Sequence, residues 1–175
     1  MPVTYKKIAS VTVGAGGAAS IDFTSIPATY TDLVIKIAAR ANSTGGDNVS
    51  IQFNNDTGNN YVTRRLLTNN GTSAYSDTFT TLKIYGPELT NASNNASIFT
   101  NGEIYITNYT GSTQKSVSID TANENNSTGT IGLGIIAGLW TGTSAITSIK
   151  LTPYQGASIS FVQYSTATLY GISKS

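Results

Sequence analysis

The 175-residue chain contains no cysteine and no histidine. Lacking cysteine, it has no disulfide, no thiolate metal ligand and no thiol nucleophile. Lacking histidine, it loses the commonest general base, the Ser-His-Asp arrangement and the usual transition-metal ligand together. Charge is scarce as well: Asp, Glu, Lys and Arg make up 11% of the residues, against about 25% in ordinary soluble domains. A formal net charge of +1 gives no pull toward nucleic acid or an anionic membrane. The longest apolar stretch, residues 131–140, is about half of the roughly 20 residues that a membrane-spanning helix requires.

Small neutral polar side chains take the place of charge. Thr, Ser and Asn account for 63 of the 175 residues, and Gly for another 17. Threonine is β-branched and suits strands, while Asn, Ser and Gly suit turns. The length fits one domain, residues 1–175, burying roughly 70% of the surface its unfolded chain exposes. At the N-terminus, Lys6 and Lys7 precede a stretch broken by Ser10, Thr12 and three glycines, a poor match to the continuous apolar region of a signal peptide. A strand over Ile8 to Val13, a turn at Gly14 to Gly17 and a second strand over Ala19 to Phe23 read better.

Period-two alternation recurs along the chain: Leu33-Ile35-Ile37, Val49-Ile51-Phe53, Ile104-Ile106, Val117-Ile119 and Ile149-Leu151, each set interleaved with mostly polar residues. These are half-buried strands with one wet face. Turn clusters separate them, among them residues 42–47, 68–72, 91–95, 109–112 and 123–129. The pattern predicts an all-β fold: an antiparallel β-sandwich, jelly-roll-like, of about ten strands.

Residues 128–140, TGTIGLGIIAGLW, read as a buried strand with Ile131, Leu133, Ile135, Ala137 and Leu139 on one face. Gly132, Gly134 and Gly138 fall on the other, beside Ile136 and Trp140. Glycine within a strand marks close approach of another backbone. Two readings stand: a subunit interface at Gly132, Gly134, Gly138 and Trp140, or tight packing within the same domain.

The segment QFNNDTGNNY, residues 52–61, gathers side-chain oxygens around Gly58. As a calcium loop it lacks the acidic first ligands and the closing glutamate. As a connection it ends one strand at Phe53 and starts another at Tyr61, with Asp56 expected to accept from backbone amides. Asp56, Asn59, Tyr61, Arg64 and Arg65 are its candidate partner contacts. Nine scattered carboxylates form no glycosidase pair, so neither catalytic nor metal nor cofactor residues are assigned and an enzyme is not expected. Nine Asn-x-Ser/Thr sequons follow from the composition. Tyr61, Tyr75, Tyr105, Tyr109 and Tyr154 sit in or near loops, where tyrosine serves sugar or partner recognition or caps the edges of a sandwich.

TYKKIASVTV, IDFTSIPATYTDLVIKIAAR, FNNDTGNNY, LWTGTSAITSIKL and ATLYGI, in that order, resemble a family of small virion proteins of tailed bacteriophages. The resemblance covers most of the chain through loose motifs. It implies a jelly-roll-like structural component, either a capsid decoration (cement) protein or a fibre or appendage domain. With no shaft or coiled-coil pattern in the sequence, a capsid decoration protein that binds the major capsid protein as a homo-oligomer, a trimer by expectation, is favoured. It would be made in the host bacterial cytoplasm and end on the virion surface, away from nucleic acid and membrane. The alternative is a tail- or head-fibre domain that reads host surface glycan.

Overall fold

A computed structural model describes residues 4–69, 73–124 and 132–173. Ile131 and residues 70–72 and 125–130, parts of two expected turn clusters with the sequons at Asn70, Asn125 and Asn126, lie outside the described residues. The described residues form twelve strands and no helix: β1 Thr4–Thr12, β2 Ile21–Phe23, β3 Asp32–Ala39, β4 Asp47–Phe53, β5 Tyr61–Asn69, β6 Ser73–Thr81, β7 Ile84–Leu89, β8 Thr100–Ile106, β9 Lys115–Asn123, β10 Gly132–Trp140, β11 Ile149–Pro153 and β12 Thr166–Ser173. The count is slightly above the ten expected from alternation.

Two antiparallel sheets face each other. The larger runs β1-β12-β3-β8-β9-β10-β5-β6 and the smaller β2-β11-β4-β7. Eight of the strands pair as a ribbon folded on itself: β1 with β12, β2 with β11, β3 with β8 and β4 with β7, with successive pairs in alternate sheets. That is jelly-roll winding. The four remaining strands are two inserted hairpins: β5–β6 interrupts the path from β4 to β7, and β9–β10 the path from β8 to β11. Both add to the same edge, beyond β8, and double the width of the larger sheet.

The alternation read from the sequence is the burial pattern in β8, β9 and β11, whereas in β3 Val34 and in β4 Ser50, both on the face expected to be wet, are buried as well. Leu33, Ile35, Ile37, Val49, Ile51, Phe53, Ile104, Ile106, Val117, Ile119, Ile149 and Leu151 all belong to one buried cluster between the sheets. Pro87 sits in β7, the edge of the smaller sheet, where a missing N–H costs no ladder bond. From that edge β7 packs across the gap on β8, β9, β10 and β5, and the Tyr85 N–H donates to Thr63 Oγ1 of the opposite sheet at 3.1 Å.

The close crossing of β7 accounts for Gly138 and Gly132 of β10, and side chains of the neighbouring strands β5 and β9 for Gly134. A Cβ on Gly138 would stand 2.9 Å from both Cδ1 and Cγ2 of Ile84, and one on Gly134 would stand 2.3 Å from Leu67 Cδ2. On Gly132 it would meet the Glu88 carboxylate. Gly132, Gly138 and Trp140 are buried within the chain, so this face is not open to a subunit. The interface expected there is corrected to packing inside the domain, and the opposite face is the open one, with Leu133 and Ile135 exposed.

Gly138→Val should therefore destabilise the protein by about 1–3 kcal/mol through overpacking against Ile84. Ala137→Val, one residue away on the exposed face, should stay within about 0.5 kcal/mol of the parent in urea titration. Equal effects at the two positions would reverse the orientation of β10.

Candidate functional site

The connection after β4 begins with Asn54 and Asn55 at φ 52° and 55°, closed by the Asp56 N–H donating to the Phe53 carbonyl at 2.9 Å. Left-handed backbone at both central residues is the mark of a type I′ turn, and asparagine tolerates it better than other side chains. Asn54 does more than turn the chain. Its Nδ2 donates to the Ala145 carbonyl at 2.8 Å, and its Oδ1 accepts from the Thr147 and Ser148 N–H groups at 2.8 and 3.2 Å. The segment leading into β11 is thus held by a residue more than ninety positions earlier.

Asp56 gathers the rest. Its Oδ1 accepts from the Gly58 N–H at 2.8 Å, as expected for a backbone-bound carboxylate. Its Oδ2 accepts from the Asn60 amide at 3.0 Å and from the Trp140 indole N–H at 2.7 Å. The indole bond is the main reason the Asp56 carboxyl lies below its ordinary range. Trp140 packs against Phe53 and Tyr61 with centroids 5.7 and 6.4 Å away. The Tyr61 hydroxyl accepts from the Phe53 N–H at 3.1 Å and lies 3.2 Å from the Asp56 carbonyl. Burial pushes Tyr61 up to about 12. On the other side of Trp140, Lys115 is fully buried. Its ammonium donates to the carbonyls of Gly111 at 2.7 Å, Thr113, and Thr143 at 3.4 Å, and stands 6.0 Å from the indole ring centre.

The five residues named as partner contacts do not share a surface. Tyr61 is buried and Asp56 is committed internally, while Asn59 is exposed on the connection. Arg64 is exposed on the outer face of β5, donating to Thr78 Oγ1 at 3.3 Å. Arg65 points the other way, between the sheets. It pairs with Asp77 through bonds of 2.9 and 2.6 Å, and stacks over Phe79 and Tyr85 with its guanidinium carbon 4.9 and 5.4 Å from the ring centres. The single-strand alternation separates two adjacent arginines that look like one unit in the sequence. Of the five tyrosines placed near loops, Tyr61 and Tyr109 are core residues and Tyr105 donates to Asp32 Oδ2 at 2.6 Å. Tyr75 and Tyr154 are exposed.

What the sequence did not single out is the outer face of the larger sheet. Register aligns Lys36, Glu103, Asp120, Ile135, Leu66 and Ser76 in one row across six strands. The flanking row carries Asn101, Ala122, Leu133, Thr68 and Ala74. Lys36 forms an ion pair with Glu103 at one end of the first row. Leu66, Leu133 and Ile135 are 54%, 55% and 62% exposed, an aliphatic patch with a concavity of about 540 Å³ over it. Among the described residues no helix lies on that face, and no group of three His, Cys, Asp or Glu is placed to hold a metal. Comparison with protein-family models, with curated proteins and with solved structures gave no match.

Asp56→Ala should cost about 1–3 kcal/mol, since it leaves the buried indole N–H without its acceptor, and urea titration followed by the fluorescence of Trp140 reads both the loss and its location. A second outcome concerns alkali. Tyr105 is pushed up to about 12, chiefly by its hydrogen bond to Asp32, so its contribution to stability is complete below the unfolded value of about 10 and disappears as pH rises through the folded one. Between those two pH values the stability of the parent should fall more steeply than that of Tyr105→Phe; parallel curves would remove Tyr105 as the cause.

Proposed function

We propose that this chain is a non-enzymatic structural protein of a tailed-bacteriophage virion, a decoration protein that binds the assembled capsid and stabilises it. The observation that carries the reading is the aliphatic patch of Leu66, Leu133 and Ile135, exposed among the described residues on a broad sheet face. Contiguous apolar surface of this kind marks an interaction site. The jelly-roll winding and the order of the motifs, from IDFTSIPATYTDL through FNNDTGNNY to LYGI, support the virion reading. The partner is the major capsid protein, and the protein acts as a homo-oligomer, a trimer, on the capsid surface after synthesis in the bacterial cytoplasm.

The mechanism is mass action. A subunit that binds the assembled shell and not its free components lowers the free energy of the shell, and a trimer that touches several capsid subunits multiplies weak contacts into avidity. The patch supplies the apolar part of each contact. Thr and Ser side chains around it add hydrogen bonds, and Lys36, Glu103 and Asp120 in the same row add a modest salt-dependent component.

Purified protein should sediment as a trimer and co-sediment with capsids stripped of it, raising their resistance to heat. Ile135→Lys, which sets an opposite charge beside Asp120, with Leu66→Thr should abolish attachment while leaving stability in urea titration within about 1 kcal/mol of the parent. Attachment by the double variant, or indifference of the parent to stripped capsids, would overturn the proposal.

A further inference from the structure

A second surface, distant in character from the aliphatic patch, has the makings of a ligand groove. A cleft of about 640 Å³ is lined by Asn59, Thr80, Thr81, Leu82, Lys83, Tyr154 and Gln155, a volume typical of small-molecule sites. It brings together the 54–60 connection, the β6–β7 turn and the residues that follow β11. Two of its side chains are large, apolar-faced and open: Leu82 at 51% and Tyr154 at 42% exposure.

Tyr154 is a prebuilt platform. Its ring is backed by Tyr85 at a centroid distance of 4.2 Å, Tyr85 in turn by Phe79 at 4.6 Å, and both of those by the guanidinium of Arg65. The backbone beneath is held just as firmly. The buried carboxylate of Asp47 accepts through Oδ1 from the N–H groups of Tyr154 and Gln155 at 2.9 and 3.1 Å. The Gln155 side chain donates to the Gly46 carbonyl, which fixes the amide and turns its oxygen into a positioned acceptor. Such anchoring spends the ordering entropy of the platform during folding, before any ligand arrives.

The chemistry around the platform is neutral. Among the described residues, two amides and two threonine hydroxyls line the cleft, no carboxylate does, and Lys83 is its one charged side chain, with its ammonium 3.4 Å from Thr152 Oγ1. A flat aromatic face beside neutral donors and acceptors suits a ligand that is itself apolar on its faces and rich in hydroxyl groups at its edges. We infer that this groove binds a β-linked neutral oligosaccharide, with a pyranose ring stacked on Tyr154 and its hydroxyl groups hydrogen-bonded by Asn59, Gln155 and Lys83. This goes beyond attachment to the capsid and uses none of the residues of the aliphatic patch, so the two readings stand or fall separately.

The test is a titration of isotope-labelled full-length protein with cellotetraose and chitotetraose at millimolar concentration, followed by amide NMR shifts. Shifts should be confined to Asn59, the β6–β7 turn, Tyr154 and Gln155 for at least one of the two sugars. Tyr154→Ala should weaken binding roughly tenfold or more, whereas Tyr154→Phe, which keeps the stacking face, should bind within a few-fold of the parent. Should Tyr154→Ala lose its native spectrum, Asn59→Ala and Gln155→Ala at the rim carry the same test, each expected to weaken binding several-fold. No shifts with either sugar, shifts elsewhere on the surface, or full binding by Tyr154→Ala or by both rim variants would overturn the inference.

Discussion

The hydrogen bond from the Trp140 indole to Asp56 is the contact around which the widened part of the sandwich is organised. A buried indole N–H must find an acceptor, and here it finds one 84 residues earlier in the chain. That single requirement draws the 54–60 connection over the end of β10. There the ladder register sets Tyr61 beside Trp140 as direct cross-strand partners, with Lys115 opposite on the other flank. The row Lys115, Trp140, Tyr61, Thr81 therefore spans both inserted hairpins. It adds ring packing to the backbone ladder that joins β5 to β10.

A second constraint explains why so few charges suffice. Long irregular connections leave carbonyls that must still be satisfied when buried. Lys115 fills this need for the loop before β9, and Arg40 does so for the segment before β8, donating to the carbonyls of Asn94, Asn95 and Ile98 at 3.0, 2.9 and 3.2 Å. Neither has a carboxylate among these partners, and burial lowers the proton affinity of both. Each cation brings several donors to one point, so a charge-poor chain can still close its polar loops.

The strands whose alternation was plain in the sequence, β3, β4, β8, β9 and β11, are those with one face in the shared core, where period and burial coincide. β6 was harder to see. It is an edge strand whose inward residues, Tyr75, Asp77 and Phe79, face a half-open, mixed environment, so polarity does not alternate. Asn54, Asp56 and Tyr61 were legible as a turn between strands, because turn chemistry is local. Their partners in residues 140–148 were not, because a pairing across more than eighty positions leaves no local trace. The separation of Arg64 from Arg65 follows from strand period two once β5 is recognised, and it divides what had been read as one contact loop into an outer cation and an inner ion pair.

β10 shows where the reasoning from hydrophobicity alone turns the wrong way. Its aliphatic face is the natural candidate for the interior, yet a one-residue slip in register would set those side chains against Ile84 and Glu88 of β7, where even a methyl group has no room. Space, not polarity, decides that the glycines face in. That leaves the outward residues free to be anything compatible with a strand, and the neighbouring β9 uses the freedom for Ser116, Ser118 and Asp120. β10 and β5 use it for Leu133, Ile135 and Leu66 instead. The fold has no need of aliphatic side chains at those positions, and each exposed one carries a solubility cost that threonine would avoid. A partner surface covering them, as the proposed capsid attachment would supply, would account for their presence.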